Sequence, residues 1–213
     1  MNKSAFYKLS YGVYAVTAQD GNRPVGCIAN SAMQITSTPP SIAISINKDN
    51  FTHSVIQKNK CFAISVLSEQ TDPAIIGTFG FQSSRDADKF TATAYEVQNN
   101  LPVLQDICAW FTVQVTQQMD AGTHTVFLGT VTDCDVRSDA TPMTYAYYHA
   151  VLKGKSPKTA PTYVEEESAQ PAAQSKNRYV CTICGYIYEG ESLPDDFICP
   201  ICKQPASAFK LLT

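Results

Sequence analysis

The feature that most constrains this chain is a pair of Cys-x-x-Cys motifs near the end of the sequence. The first pair is Cys181 and Cys184, and the second pair is Cys199 and Cys202. Thiolates at this spacing bind tetrahedral zinc or iron. A module this short buries too little apolar area to fold alone, so the bound metal would also supply its folding energy. The four cysteines are therefore predicted to hold one metal ion, and spacing alone leaves zinc and iron both open.

The residues around these cysteines resemble the rubredoxin family. The sequence reads CTICGYIY around the first pair and PDDFICPIC around the second. The resemblance implies one iron that is bound by Cys181, Cys184, Cys199 and Cys202 and passes one electron. It also implies an aromatic core beside the iron, made of Tyr186, Phe197 and Phe209.

Two departures from the rubredoxin pattern are visible. The segment between the two cysteine pairs is shorter than in free-standing rubredoxins, and Lys203 stands where those proteins usually have glycine. Both features are typical of the trimmed rubredoxin-like domains that are fused to other redox proteins. A structural zinc ribbon remains the alternative.

A change of composition divides the chain. Between residues 154 and 177, Pro, Ala, Ser, Glu and Lys dominate and the apolar periodicity disappears, which is typical of a flexible linker. We therefore predict a domain over residues 1–153, a linker over 154–177 and the metal-binding domain over 178–213.

Charge and composition argue against nucleic-acid and membrane partners and indicate the cellular location. The net charge of -3 argues against nucleic-acid binding. We expect no targeting segment, because the first residues have no clean apolar core, and no apolar run approaches the roughly 18 residues of a membrane span. We expect a cytoplasmic protein with no membrane partner, in which the four scattered cysteines are small buried side chains. These are Cys27, Cys61, Cys108 and Cys134.

The first 153 residues read as mainly β. Stretches rich in β-branched and aromatic residues alternate with turn residues, which predicts a barrel of short strands. The predicted strands are residues 12–18, 25–29, 41–46, 61–67, 109–116 and 125–136. The predicted helices are residues 51–58, after a cluster of capping residues, and 73–79, after Thr71 or Asp72.

In order along the chain, these residues resemble the flavin reductase family, which includes flavoredoxin. The resemblance rests on the strings FYKLSYGVYAVT, GCIANS, SINK, FAISVL, GTHT, FLG and PMTYAYYH. It implies a mainly β fold, an FMN-binding split β-barrel with a few short helices. It also implies a hydride donor, NADH or NADPH, and a homodimer with FMN at the subunit interface.

The resemblance assigns site residues by position. The flavin ring would lie along Ala29, Asn30 and Ser31, with Cys27 just upstream as a further cofactor-binding residue. The ribityl chain and phosphate would meet Ser45, Asn47, Lys48, Thr52 and His53. The pocket would be completed by Phe79 and Gly80, with Ser83, Arg85 and Lys89 nearby. His149 would lie near the nicotinamide as the candidate catalytic residue, and His124 is interpreted as structural.

The residues themselves leave simpler explanations open for several of these positions. The segment from Ser45 to His53 ends a strand and begins a helix, so it suits an anion, but it could equally be an ordinary helix cap. The loop around Arg85 could be solvated surface, and His149 could be a surface histidine at the end of a tyrosine-rich strand or turn.

The order of the two modules resembles the flavoredoxin–rubredoxin fusions of anaerobic microbes, known as high-molecular-weight rubredoxins. The resemblance implies electron flow from NAD(P)H through FMN to the iron and on to a diiron flavoprotein that reduces O2 or NO. One alternative is a flavin reductase that releases free reduced flavin and carries a structural zinc module. A second alternative is a zinc-binding module without enzymatic activity.

Overall fold

The computed structural model describes residues 1–152 and 177–212. The predicted linker lies outside the described residues except for Asn177, which is the first residue of a strand. The domain boundaries given above stay a prediction.

The N-terminal part is built mainly from antiparallel strands. After a short 3-10 helix at Lys3–Lys8, the strands in chain order are β1 (Tyr14–Asp20), β2 (Arg23–Ala29), β3 (Met33–Ser37), β4 (Pro40–Asn47), β5 (Cys61–Val66), β6 (Tyr95–Gln98), β7 (Leu101–Leu104), β8 (Ala109–Ala121) and β9 (His124–Val136). Three helices are interspersed: α1 (Phe51–Asn59), α2 (Pro73–Phe81) and α3 (Tyr145–Ala150).

Seven of these strands form one sheet in the order β2-β1-β5-β8-β9-β4-β3, and β6 pairs with β7 in a separate hairpin. Strand β2, at one edge, also contacts β4 near the other edge, so the sheet curls round on itself. The prediction of a mainly β fold with a few short helices is confirmed.

The curled sheet encloses an apolar core. Phe62 and Ile64 of β5 and Phe127 of β9 project into it, and Val55 and Ile56 of α1 pack against them; all five are almost fully buried. Burying each such side chain stabilises the fold by about 1.5–3 kcal/mol relative to leaving it in water. The core therefore holds β2 and β4, the two strands on which the site described below is built, in fixed positions.

Helices α1 and α2 begin at residues that cap them. The Asn50 side chain accepts a hydrogen bond from the Thr52 amide, and the Asp72 side chain accepts one from the Ala74 amide. Proline at the first position of α2 needs no amide partner, which suits a helix start. The structure thus selects Asp72 as the cap of α2, and both helices follow the sequence prediction closely.

The structure adds elements that the sequence pattern did not predict. These are β3, β6, β7 and helix α3, the last capped by Thr144, whose side chain accepts from the Tyr147 amide. Helix α3 replaces the strand or turn that the tyrosine-rich sequence had suggested. Its position matters for the site described below.

The C-terminal part is a small three-stranded sheet. Strands β10 (Asn177–Cys181), β11 (Ile187–Gly190) and β12 (Phe209–Leu212) pair antiparallel in the order β11-β10-β12, and a 3-10 turn at Ala206–Ala208 precedes β12. Within the described ranges, no helix has the length and apolar character needed to cross a bilayer.

Candidate functional site

The four predicted metal ligands converge in the C-terminal sheet. The Sγ atoms of Cys181, Cys184, Cys199 and Cys202 all lie within 4.8 Å of one another. The Sγ of Cys181 is 3.5 Å from that of Cys202, and the Sγ of Cys184 is 3.4 Å from that of Cys199. A tetrahedral thiolate site with bonds of about 2.3 Å has sulfur–sulfur edges of about 3.8 Å. The four sulfurs therefore fit one zinc or iron ion.

Both cysteine pairs lie in turns of the same kind. The Gly185 amide donates to the Cys181 carbonyl and the Lys203 amide to the Cys199 carbonyl. Gly185 has φ +77° and Lys203 has φ +55°. Lys203 therefore has a left-handed backbone conformation, which glycine adopts at no steric cost. This conformation explains why glycine is the usual residue at this position of a rubredoxin.

The surroundings of Cys199 stabilise its thiolate. Hydrogen bonding from the Cys184 thiol lowers the pKa of Cys199 below its ordinary value, and the amides of Cys202 and Ile201 act in the same direction. A thiolate is the form that binds a metal.

The predicted aromatic core is also present, since the Phe197 ring lies 5.3 Å from that of Phe209 and 6.4 Å from that of Tyr186.

A cleft in the N-terminal part lies between β2, β4, α2 and α3, with about 710 Å³ of empty space including the solvent at its mouth. Seven of the predicted cofactor-binding residues line it: Cys27, Ala29, Asn30, Ser45, Asn47, Phe79 and Gly80. Further lining residues had not been predicted: Val13, Ile28, Ile46, Asn50, Ile76, Phe81, His124, Tyr145 and Tyr148. His124, interpreted from the sequence as structural, is thus a wall residue.

Cys27 lies on the cleft wall as a neutral thiol. Burial raises its pKa, so the thiolate is disfavoured there. The buried Lys89 lies next to it and donates to the carbonyls of Gly26 and Phe79, at 2.8 and 3.1 Å. Lys89 therefore joins β2 to the end of α2 behind the cleft rather than lining it.

Close packing of α2 on β2 sets the shape of this end of the cleft. A Cβ atom at Gly26 would lie 2.8 Å from the Phe79 ring, which is closer than real side chains come. Glycine at this position lets Phe79 lie against the strand and present its other side to the cleft.

Several predicted residues support the cleft from outside its lining. The Ser31 hydroxyl donates to the Ser45 carbonyl at 2.9 Å and accepts from the Ser45 amide, which fixes a residue that does line the cleft. Lys48 forms a surface ion pair with Asp120 at 2.7 Å. Thr52 is buried in the first turn of α1.

The two predicted histidines have different surroundings. His53 is buried, its Nε2 lies 2.8 Å from the Thr125 hydroxyl, and burial lowers its pKa, so it is neutral and structural in character. His149 is exposed, and its ring packs edge-on against that of Tyr145, a cleft residue, at 4.4 Å. His149 therefore lies one side chain away from the cleft.

A cationic loop lies against the start of α1. Arg23 donates to the carbonyls of Ser84 and Ala87, which fixes the loop that carries Arg85. The Arg85 guanidinium then lies 5.9 Å from the centre of the Phe51 ring, at the first residue of α1. Ser83, in the same loop, accepts from the Arg85 amide. Positive charge is thus brought to a helix N-terminus whose amides already favour an anion.

The cleft as a whole fits a flavin nucleotide. Its lining combines apolar residues, such as Ile28, Ala29 and Phe79, with the polar side chains of Asn47 and Asn50. An apolar ring system joined to a polar chain and a phosphate matches that combination.

Two family models match the chain. The flavin reductase like domain matches residues 6–154, and the rubrerythrin, rubredoxin-like domain matches residues 179–210. The first match alone covers more than half of the chain.

Curated relatives agree with this division. The chain is 43% identical to the high molecular weight rubredoxin of Moorella thermoacetica, over 99% of both chains. It is 41% identical to the ferric-chelate reductase (NAD(P)H) of Archaeoglobus fulgidus, over 78% of this chain and 100% of that protein.

A solved structure shows the same fold for the N-terminal part. The NADH:FAD oxidoreductase of Streptomyces globisporus C-1027, in complex with NAD and FAD fragments, superposes with a TM-score of 0.60 and 26% identity, covering 66% of this chain and 83% of that one. Together with the cleft and the four-cysteine site, these matches show that the chain belongs to the flavin reductase-like family and carries a rubredoxin-like domain at its C-terminal end.

Proposed function

We propose that this chain is an electron-transfer oxidoreductase. It would take electrons from NADH or NADPH through FMN in the cleft to one iron in the four-cysteine site, and pass them to a redox partner such as a flavodiiron O2 or NO reductase. The observation that carries the proposal is the presence, in one chain, of a cleft with mixed apolar and polar lining and a four-thiolate site that share neighbouring residues. Phe81 and Tyr148 both line the cleft, and Phe81 also packs against the cysteine cluster.

The chemistry explains why the two sites belong together. Bound flavin accepts a hydride as an electron pair and can release electrons singly, whereas a one-iron site accepts one at a time. The chain's own residues have the tasks of holding the flavin and excluding water from it. The apolar wall at Ile28 and Phe79 suits the ring, and Asn47, Asn50 and Arg85 suit the ribityl chain and phosphate.

The choice of FMN over FAD rests on the same arrangement. Arg85 and the start of α1 provide one cationic, amide-rich end, which suits a terminal phosphate. Acid extraction of the bound flavin followed by chromatography identifies it directly. Release of FAD alone would refute the FMN assignment and leave the cleft as a flavin site.

The site of hydride transfer is proposed near α3. His149 packs on Tyr145, and Tyr145 lines the cleft, so His149 is placed to act on the nicotinamide side of the flavin. The name of the Archaeoglobus relative supports NADH and NADPH equally.

Two further parts of the proposal concern assembly and location. Edge strand β3 is exposed throughout and carries Met33 and Ile35, which are 62% and 47% exposed. Exposed apolar residues on an unpaired edge support a homodimer contact there, to be tested by analytical ultracentrifugation of the protein and of Met33→Lys. The scattered cysteines are free thiols, but the prediction that all four are buried is wrong for two of them: Cys61 is half-buried and Cys134 is exposed. Free thiols support a cytoplasmic location.

The experiment that tests the function is an anaerobic titration with NADH and then NADPH, followed by visible spectroscopy and metal analysis. We expect flavin and iron in equal amounts and loss of both oxidised spectra on reduction. Bleaching of the flavin alone, with zinc in the four-cysteine site after growth in iron-rich medium, would refute iron as the acceptor. It would support the second candidate, release of reduced flavin, which the match of the barrel to stand-alone reductases favours.

A further inference from the structure

Within the described residues, the four-cysteine module approaches the barrel very closely at Gly77. Gly77 is buried in the middle of α2, and a Cβ atom there would lie 2.7 Å from the Ile201 carbonyl oxygen and 2.8 Å from the Cα of Cys202. Glycine weakens a helix interior relative to alanine. Its presence at this position is explained by the approach of the metal-binding turn, which leaves no room for a side chain.

Apolar and charged contacts surround that point. Phe81 at the end of α2 and Leu152 after α3 pack against the buried cluster of the module. At the start of α2, the Nζ of Lys203 lies 3.5 Å from the Oδ1 of Asp72. Lys203 directly follows Cys202, so this exposed ion pair lies beside the second cysteine turn.

The same face is the back of the cleft wall. Phe81 and Tyr148 line the cleft, and Tyr148 is only 2% exposed. The thiols of Cys184, Cys199 and Cys202 lie close enough to act electrostatically on the Tyr148 hydroxyl. Phe81 therefore lines the cleft and also packs against the cysteine cluster.

We propose that the face formed by Gly77, Phe81, Tyr148 and Leu152 is a docking site for the four-cysteine module of the same chain, so that electrons pass between cleft and metal within one subunit. The docking rests on the contacts above, whereas the passage of electrons across it rests on the proposed function. For each hydride received, two electrons cross one at a time. Each reduces one ferric ion to ferrous, the external acceptor reoxidises the metal in between, and the proton goes to solvent.

The docking is tested without any measurement of activity. A carbodiimide should join the Lys203 amine to the Asp72 carboxylate in the intact, metal-loaded protein, and peptide mass spectrometry locates the link. Unlabelled and 15N-labelled chains are mixed until native mass spectrometry shows that any oligomers have exchanged subunits. A link within one chain then gives only peptide pairs of a single isotope.

Substitutions in α2 provide the matched comparison. Gly77→Ala should lower the yield of the link and Gly77→Val should lower the docking equilibrium by about tenfold or more, because the added atoms overpack a contact with backbone. Gly80→Ala lies in the same helix, and its Cβ would meet Ile28 at an ordinary 3.5 Å. It should give the yield of the unsubstituted protein.

The outcomes separate docking from function. A single-isotope link that Gly77→Val abolishes and Gly80→Ala retains supports the proposal. A mixed-isotope link, no link, or equal yields in the two glycine series would overturn it. Flavin and metal contents of the same samples test the proposed function separately, because the link requires neither flavin reduction nor iron in place of zinc.

Discussion

Lys89 should make the stability of the protein rise with pH in a way that its removal abolishes. The Lys89 residue is 3% exposed, and among the contacts described its ammonium group donates hydrogen bonds to the carbonyls of Gly26 and Phe79. Burial lowers the pKa of Lys89 from 10.5 to about 8, and the nearby Cys27 opposes that shift in part.

The sign follows from proton binding. The folded protein releases the Lys89 proton near pH 8, whereas the unfolded chain keeps it up to about pH 10.5. Between these values the unfolded state binds more protons, so the free energy of unfolding increases with pH. Integrating the two titration curves from pH 7 to pH 9 gives a gain of about 1.3 kcal/mol from this residue.

The assay is urea unfolding at pH 7 and pH 9 under reducing, anaerobic conditions with metal and flavin contents held fixed. Lys89→Met should lack the gain of about 1.3 kcal/mol between the two pH values. Lys58→Met is the matched control, because Lys58 is exposed on α1. It should follow the unsubstituted protein.

The test compares the change in the free energy of unfolding between pH 7 and pH 9 in the unsubstituted protein and the two variants. If Lys89→Met gains as much stability between pH 7 and pH 9 as Lys58→Met does, the ammonium group is not desolvated in the folded state. The reasoning from burial would then be refuted.

Three other substitutions test the cleft and the metal centre. Cys184→Ser should lose the metal, as measured by metal analysis, while NADH or NADPH still reduces added saturating flavin; loss of both would contradict two separable sites. Arg85→Met should weaken FMN binding about tenfold, because a charge-assisted phosphate contact is lost. In fluorescence titrations riboflavin, which lacks the phosphate, should bind as before, and an equal loss for both ligands would remove Arg85 from the phosphate site. Tyr148→Ala should destabilise the fold by about 3–5 kcal/mol through a cavity, whereas Tyr148→Phe should unfold in urea near the unsubstituted midpoint; similar losses would assign the cost to the hydroxyl.

The metal centre could be read from the sequence because all of its determinants are local. The four cysteines and the turn at Gly185 lie within one short segment, and thiolate spacing alone defines the geometry. The starts of α1 and α2 could also be predicted from the sequence, since Asn50 and Asp72 cap the helices that directly follow them.

The cleft could be predicted only in part, because its walls come from distant segments. The strand residues Cys27, Ala29 and Ser45 follow from the order of motifs. Tyr145 and Tyr148 do not, because a short run of tyrosines gives no helical periodicity and α3 depends on its Thr144 cap and on packing. Their spacing of three residues was the one available signal that both lie on one helix face.

The contact between the two modules could hardly be predicted from the sequence. A glycine in the interior of a helix, such as Gly77, usually has a packing reason. That reason lies in residues 201 and 202, far along the chain. No local pattern connects the two, so only the folded arrangement reveals the pairing.

Phe81 belongs to two structures at once, since it lines the cleft and packs against the cysteine cluster. Anything that holds the module folded against the barrel therefore also holds one wall of the cleft in place. Thermodynamic linkage requires the reverse as well, so an occupied cleft must raise the apparent affinity of the cysteines for metal by the same factor. Loss of the metal would weaken flavin binding, and loss of the flavin would weaken metal binding.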